Sequence, residues 1–251
     1  MTITSDIKNR ILQTINVFET GSIDGEYDNI SIYNDGKNNT RQITYGRSQT
    51  TEQGNLKALI QAYIENNGLY TSMLAPYLAQ IGVTPLDKDT LFIDHLKNAA
   101  REDEVMRQTQ DAFFDKHYYQ RAVKFCDDNG FMLPLSMLVI YDSFIHSGGI
   151  LQFLRDRFDE VPPAKGGDEK AWIKAYVNTR HKWLDSKGGI LAKTVYRMEC
   201  FSLQMAMGNW MLTQPISANG IMTRGLDDEH LRLGNEERAA LRSNRRYVKD
   251  L

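Results

Sequence analysis

The chain has 251 residues, of which 41% are hydrophobic and 25% charged, and its formal net charge is −2. These values are typical of a globular protein with one large domain, which we expect to fold as two lobes around a cleft. A nearly neutral chain does not concentrate the positive charge of a nucleic-acid binder, and no apolar run is long enough to cross a membrane. We therefore expect neither a nucleic-acid partner nor a membrane partner.

The first predicted element is a helix near the N-terminus. Ser5 is a suitable N-cap residue, and Gly21 is placed to end the helix. Between them, apolar residues recur at helical spacing: Ile7, Ile11, Ile15 and Phe18.

Alternation of apolar and polar residues then predicts two strands within residues 30–45. Ile30 and Ile32 alternate with polar residues, as do Ile43 and Tyr45, and the polar stretch 34–39 predicts the connecting loop. No other segment gives a convincing sheet signal. We therefore expect an α+β fold that is predominantly α-helical.

Helical patterns occupy the rest of the chain. They predict helices within 56–64, from about Arg101 to Gly130, and over 135–145, 169–185 and 191–207. The segment 135–145 is apolar on nearly every face, which predicts a helix at the centre of the core. The tail from Met222 is charged and poor in apolar residues, and we expect it to wrap the surface or to be partly mobile.

The two cysteines and the N-terminus say little about the compartment. Cys126 and Cys200 lie in apolar helical contexts, which favours two buried free thiols, with a single disulfide as the alternative. The N-terminal residues show no basic-then-apolar signal pattern. Three explanations stay open: a signal peptide was removed, the protein is exported by another route, or it stays inside the cell.

Glu19 is the first candidate catalytic residue. It follows Ile15 by four residues, which places it on the apolar face at the C-terminal end of the predicted helix. Burial and the negative end of the helix both disfavour the carboxylate anion. A carboxyl group that stays protonated near neutrality can donate a proton to the leaving oxygen of a glycosidic bond. Glu19 is therefore a candidate general acid.

Asp35 is predicted to lie in the opposite environment, a polar loop with Lys37 two residues away. We expect it to stay ionised, as a general base requires. Thr40, five residues after Asp35, is a candidate to help hold the attacking water. One neutral and one charged carboxyl group are the pair that inverting glycosidases use.

Both assignments have a simpler alternative. A glutamate close before a helix-ending glycine is often a surface residue, and an Asp-Gly pair in a hairpin loop is more often part of a turn. Three other carboxylates lie nearby and are rival candidates: Asp24, Glu26 and Asp28. Their polar, glycine-containing surroundings indicate that they are solvated loop residues.

Asp142 lies inside the apolar segment 135–145. An unpaired carboxylate there would be costly or would be forced neutral, so it needs cationic partners. Arg180 and Arg197 lie in the last two predicted helices, which are otherwise rich in apolar residues. We expect an Arg–Asp–Arg network that reaches towards Glu19, with simple bracing of the helices as the alternative.

Other chemistries lack support. No two histidines have the His-Glu-x-x-His spacing of a zinc site. The five histidines of the chain are His95, His117, His146, His181 and His230. The loop at 35–39 lacks the carboxylate spacing of a calcium site, and no motif supports a Cys or Ser nucleophile. We expect no metal and no cofactor.

Taken in chain order, these residues resemble glycoside hydrolase family 46, the chitosanases. The resemblance covers most of the chain: Glu19, Asp35-Gly36-Lys37, Thr40, Gly54-Asn55-Leu56, the segment 141–148, Arg180, the segment 194–197, and Phe201, Gly208-Asn209-Trp210 and Pro215. It implies a lysozyme-like fold with a cleft between two mostly helical lobes. On this basis residues 1–251 form a single catalytic domain. We expect residues 26–120 to form the smaller lobe, and residues 1–25 and 121–251 the larger one.

The resemblance also implies roles for individual residues. Glu19 resembles the family's acid, Asp35 its base and Thr40 the residue that orients the water. The buried ionic network of the family is matched by three residues: Asp142, Arg180 and Arg197.

Three departures concern the substrate-binding residues. Lys37 stands where an arginine is usual, which gives fewer donors for a sugar hydroxyl. Asn55 stands where we expect an aspartate that recognises the ammonium of glucosamine. The stretch between Thr40 and Gly46 is one residue longer.

The leading prediction is a monomeric, inverting endo-hydrolase of β-1,4-linked amino sugars, with chitosan as the first substrate. A peptidoglycan-cleaving lysozyme is the close rival, since Asn55 and a near-neutral chain do not demand a polycationic substrate. A non-catalytic glycan-binding or interaction module is the alternative of another class. The substrate implies a secreted or periplasmic protein.

Overall fold

The computed structural model of the protein describes residues 3–47 and 49–224. Its helices are α1 (Ser5–Thr20), α2 (Leu56–Glu65), α3 (Thr71–Leu74), α4 (Thr90–Glu102), α5 (Glu104–Phe114), α6 (Gln120–Asn129), α7 (Pro134–Ser147), α8 (Gln152–Arg155), α9 (Glu169–Lys187), α10 (Gly189–Ala192) and α11 (Tyr196–Ala206). A π-helical turn at Asp115–Tyr119 joins α5 to α6, and 3₁₀ turns lie at Lys37–Asn39, Ala75–Ala79 and Pro163–Lys165. The strands are β1 (Ile30–Tyr33), β2 (Gln42–Tyr45), β3 (Thr50–Thr51), β4 (Ser217–Ala218) and β5 (Ile221–Met222).

Helix α1 begins and ends at capping residues. Thr4 is the N-cap, since its side chain accepts a hydrogen bond from the N–H of Ile7, so the prediction of Ser5 was wrong by one residue. The predicted stop at Gly21 is confirmed. This glycine has a φ of 72°, and its N–H donates to the carbonyl of Val17 at 3.0 Å.

The hairpin predicted within residues 30–45 is confirmed, and β2 is its central strand. β1 pairs antiparallel with β2, with Tyr33 opposite Gln42 and Ile30 opposite Tyr45, while β3 pairs with the other edge of β2. All four residues of β2 are buried. β3 and the antiparallel pair β4–β5 are strands that the sequence did not predict. Each has two residues, which is too short to show alternation.

Two hydrophobic cores lie along the chain. The smaller core contains buried residues between Ile43 and Phe113, and the larger one contains residues of α1 together with residues from Phe114 to Ala218. Helix α7 lies inside the larger core, with every residue of Pro134–Phe144 buried, which confirms its predicted central position. The near-continuous helix from α5 to α6 passes from one core to the other. The assignment of two lobes to residues 26–120 and to the remainder stays a prediction.

The other helix predictions differ from the structure mainly at their boundaries. The helix predicted from about Arg101 to Gly130 corresponds to α5, the π-helical turn and α6, which ends at Gly130. The helix predicted over 191–207 is divided into α10 and α11. Cys126 and Cys200 are buried and free, as predicted. Most of the tail beyond Met222 lies outside the described residues. None of the described helices combines the length and the apolar character that a membrane span requires.

Candidate active site

Glu19 lies in the last turn of α1, and its side chain is 14% exposed. One carboxylate oxygen accepts a hydrogen bond from Nη2 of Arg197 at 2.7 Å. The carbonyl of Phe18 accepts from the hydroxyl of Tyr196 at 3.0 Å and from Arg197 at 3.2 Å, and Gln49 donates to the carbonyl of Glu19 at 2.7 Å. These donors satisfy carbonyls that the helix end leaves without intrahelical partners. They hold the Glu19 carboxyl in place while part of it stays accessible.

Arg197 also connects Glu19 to a buried ion pair. Its Nη1 donates to Oδ1 of Asp142 at 2.8 Å, and Nη1 of Arg180 donates to Oδ2 of the same carboxylate at 2.7 Å. The side chains of Asp142 and Arg180 are completely buried. Arg180 and Arg197 lie on either side of the Asp142 carboxylate, so this buried charge has opposite charges beside it, and Arg197 extends to the Glu19 carboxyl. The structure therefore brings together the three residues of the predicted network and connects them to Glu19.

The charges of this network perturb one another. Burial on its own would raise the pKa of Asp142, but Arg180 and Arg197 outweigh burial and hold that pKa below its usual value. Burial likewise lowers the pKa of Arg197, and Asp142 and Glu19 reverse the effect and raise it. Both groups are therefore charged at neutral pH.

His146 is a further member of the network. It lies one helical turn after Asp142 on α7, and its Nδ1 is 3.0 Å from Nη2 of Arg180. A guanidinium only donates, so Nδ1 accepts and the neutral ring carries its proton on Nε2. Burial, reinforced by the positive charge of Arg197, lowers the pKa of His146 to about 4. The i,i+4 spacing from Asp142 is the sequence signal that marks this residue.

Asp35 lies in the exposed loop between β1 and β2. Its Oδ1 accepts a hydrogen bond from Nε2 of Gln42 at 3.0 Å. Lys37 and Thr40 lie in the same loop, and the hydroxyl of Thr40 donates to the carbonyl of Lys37 at 2.8 Å. Gln53, which follows β3, donates to Oγ1 of Thr40 at 2.9 Å. The loop that carries the predicted base is thus bound to the sheet by amide side chains.

Asn55 lies at the start of α2 and is partly exposed. Its Nδ2 is 3.4 Å from the hydroxyl of Tyr118 in the π-helical turn. The predicted sugar-binding position therefore lies where the smaller core meets the helix that connects the two cores.

The rival carboxylates have surface roles. Asp24 pairs with Arg224 at 2.9 Å and Asp28 pairs with Arg101 at 2.5 Å. Glu26 is exposed. These contacts and exposures agree with the prediction that the three residues are solvated loop residues.

Sequence reasoning missed three glutamines that contact the predicted catalytic residues or their loop: Gln42, Gln49 and Gln53. A neutral amide has no charge that requires a partner, and these residues follow no periodic pattern. No sequence signal would have identified them.

Both predicted catalytic residues are contacted by glutamines that flank β2. Gln42 at the start of β2 donates to the carboxylate of Asp35, whereas Gln49, beyond the end of β2, donates to the backbone carbonyl of Glu19.

A predominantly helical α+β fold with a partly exposed glutamate carboxyl held by a buried ion-pair network fits a glycoside hydrolase. The family model for glycosyl hydrolase family 46 matches residues 13–216. The chain belongs to this family.

Individual relatives agree with this assignment. A chitosanase of Bacillus subtilis (strain 168) is 28% identical over 191 residues, which cover 70% of this chain and 66%, just under two thirds, of that relative. The structure of a family 46 chitosanase from Gynuella sunshinyii in complex with chitotetraose is similar with a TM-score of 0.73 at 22% identity, covering 88% of this chain and 98% of that one. The native chitosanase from Bacillus subtilis MY002 gives a TM-score of 0.73 at 23% identity, covering 89% of this chain and 100% of that one. At these identities the solved structures establish the fold.

Proposed function

We propose that the protein hydrolyses β-1,4 linkages within chitosan chains, with Glu19 as general acid and Asp35 as general base. The observation that carries this proposal is the Glu19 carboxyl, which is bound through one oxygen to Arg197 and stays partly exposed. The relatives named above are chitosanases, which supports chitosan over peptidoglycan as the substrate.

In the proposed reaction, Glu19 donates its proton to the glycosidic oxygen as the bond from that oxygen to the anomeric carbon breaks. A water molecule attacks the anomeric carbon from the opposite face and loses a proton to Asp35. Thr40 helps to orient this water. Arg197 stabilises the negative charge that Glu19 acquires, and Asp142 balances the positive charge of Arg197.

Lys37 and Asn55 are the proposed substrate-binding residues. Lys37 offers a single ammonium group to a sugar hydroxyl, where an arginine would offer a planar set of N–H donors. Asn55 offers a neutral amide to the glucosamine unit. Both residues are at least partly accessible to solvent.

The substrate also bears on where the protein works. Chitosan is a polymer too large to cross a membrane unaided, so we propose that the protein acts outside the cytoplasm, as a secreted or periplasmic enzyme. We further propose that the protein is active as a monomer.

Cleavage should invert the configuration of the anomeric carbon. Inverting enzymes hold their two carboxyl groups about 6.5–9.5 Å apart, whereas retaining enzymes need about 5–5.5 Å. Thr40 lies in the same exposed loop as Asp35, which favours an activated water over a covalent sugar ester. Proton NMR of the first reducing ends released from chitosan, taken before mutarotation, should show the α anomer.

The same experiment tests the substrate. An initial β anomer would overturn the single-displacement mechanism and make Asp35 a nucleophile. Release of reducing ends from peptidoglycan but not from chitosan would show that the proposed substrate is wrong.

Asn55→Asp should shift the preference towards fully deacetylated chitosan. A carboxylate forms a charge-assisted hydrogen bond with an ammonium group, about twice as strong as the neutral bond of an amide. We expect kcat/KM on fully deacetylated chitosan to rise by roughly fivefold, equivalent to about 1 kcal/mol. Asn178→Asp, at an exposed position on α9, adds the same charge as a control. An unchanged ratio across chitosans of graded acetylation would place Asn55 outside the sugar-binding site.

A further inference from the structure

Two glutamines join the loop that carries Asp35 to the sheet. Gln42 is buried at the start of β2, and Gln53 follows β3. The Nε2 of Gln42 donates to Oδ1 of Asp35 at 3.0 Å, and its Oε1 accepts from the backbone N–H of Gln53 at 3.1 Å. Gln42 therefore connects the carboxylate of Asp35 directly to the backbone of Gln53.

The side chain of Gln53 closes the loop from the other direction. Its Oε1 accepts from the backbone N–H of Lys37 at 2.7 Å, and its Nε2 donates to Oγ1 of Thr40 at 2.9 Å. Gly36 makes this approach possible, since a Cβ there would lie 2.6 Å from both Nε2 of Gln53 and Oγ1 of Thr40. Any other residue at position 36 would displace the glutamine or the threonine.

Hydrogen-bond chemistry determines the direction of each bond. A backbone N–H only donates, so the atom of Gln53 that faces Lys37 must be the carbonyl oxygen, and the amide nitrogen must face Thr40. The hydroxyl of Thr40 then accepts from Gln53 and must direct its own proton elsewhere. The carbonyl of Lys37, at 2.8 Å, receives it. Gln53 thereby determines the orientation of the Thr40 hydroxyl.

We propose that Gln53 is a positioning residue that makes the Thr40 hydroxyl a pure acceptor towards the attacking water. This inference rests on the proposed function and deepens it. The Thr40 hydroxyl donates its hydrogen to the backbone carbonyl of Lys37 and accepts from Gln53, so one lone pair on its oxygen is left. This lone pair and the carboxylate of Asp35 can each accept a hydrogen bond from water. A water held by these two oxygens donates one hydrogen to each, and its own lone pairs stay free for the anomeric carbon. A water that accepted a bond from Thr40 would be a weaker nucleophile.

Gln53→Met tests the proposal, because methionine has a similar length and neither donates nor accepts comparably. We expect kcat on chitosan to fall by roughly tenfold to a hundredfold, the effect of a misoriented reacting group, with KM within about twofold of the wild type. Gln61→Met is the matched control. Gln61 is an exposed glutamine on α2 that donates to Glu65 at 3.0 Å, and its substitution should leave kcat unchanged. If the thermal midpoint of Gln53→Met shows that this variant does not fold, Gln53→Ala is used in its place.

A double-mutant cycle with Thr40→Val separates positioning from a structural role. If Gln53 acts through Thr40, then Gln53→Met should lower kcat by less than about threefold in the Thr40→Val background, because coupled residues are not additive. A kcat equal to that of Gln61→Met, or the same loss with and without Thr40, would overturn the inference while leaving the proposed function in place. A wild-type protein that does not hydrolyse chitosan would contradict the proposed function and the inference together.

Discussion

Glu19→Gln and Asp35→Asn should each lower kcat on chitosan by about 10²–10⁴-fold, the contribution of one general acid or base. Neither variant should unfold the protein. In Glu19→Gln the new amide oxygen can still accept the hydrogen bond from Arg197, which keeps Asp142 as its counter-charge. In Asp35→Asn the substituted side chain lies in an exposed loop. Steady-state turnover together with the thermal midpoint of each variant is the measurement.

Two further measurements distinguish the acid from the base. A chito-oligosaccharide with an activated aryl leaving group needs no proton donor, so it should restore turnover to Glu19→Gln but not to Asp35→Asn. Azide attacks without deprotonation, so it should restore turnover to Asp35→Ala with an α-glycosyl azide as the product. Glu26→Gln is the control, since Glu26 is an exposed neighbouring carboxylate. Near wild-type turnover by Glu19→Gln or Asp35→Asn would remove that residue from the mechanism.

Asp142→Ala should lower the free energy of unfolding by about 3–5 kcal/mol, the usual cost of removing one partner from a buried ion pair. The substitution leaves Arg180 completely buried without a carboxylate and leaves Arg197 with Glu19 alone. For a chain of this size, the thermal midpoint should fall by roughly 10 °C. Asp128→Ala is the control, because Asp128 forms an exposed i,i+4 pair with Lys124 that should contribute only about 0.3–0.5 kcal/mol.

The effect of Asp142→Ala should also depend on pH. The arginines hold the pKa of Asp142 below the value of about 3.9 that it has in the unfolded chain. A carboxyl with a lowered folded-state pKa contributes stability that is present above the unfolded-state pKa and is lost as the pH falls through the folded-state pKa. The difference in unfolding free energy between wild type and variant should be largest above pH ~4 and smaller below it. An equal midpoint for the two proteins at neutral pH would mean that the ion pair does not stabilise the fold.

Local patterns were enough to predict much of the fold. Helix α1 and the hairpin follow from periods of 3.6 and 2 in the distribution of apolar residues, whereas the buried helix α7 follows from a segment that is apolar on nearly every face. The strands of two residues are too short to carry a period, and the break between α10 and α11 has no clear signal in the sequence. The short strands are defined only by the backbone hydrogen bonds to their antiparallel neighbours, which the identity of two side chains does not specify.

The candidate site divides in the same way. The sequence alone determined that Asp142 needs cationic partners, since a charge inside an apolar helix cannot stay unpaired. It predicted a network of Asp142 with two arginines reaching towards Glu19, but it could not determine that Arg197 is the arginine that contacts Glu19. Nor could it determine that Gln53 contacts Thr40. The Arg197–Glu19 bond joins residues 178 positions apart, and the Gln53–Thr40 bond joins neutral groups 13 positions apart. Only the tertiary structure decided these contacts, because a hydrogen bond depends on positions in space, and a neutral amide leaves no local pattern that requires it.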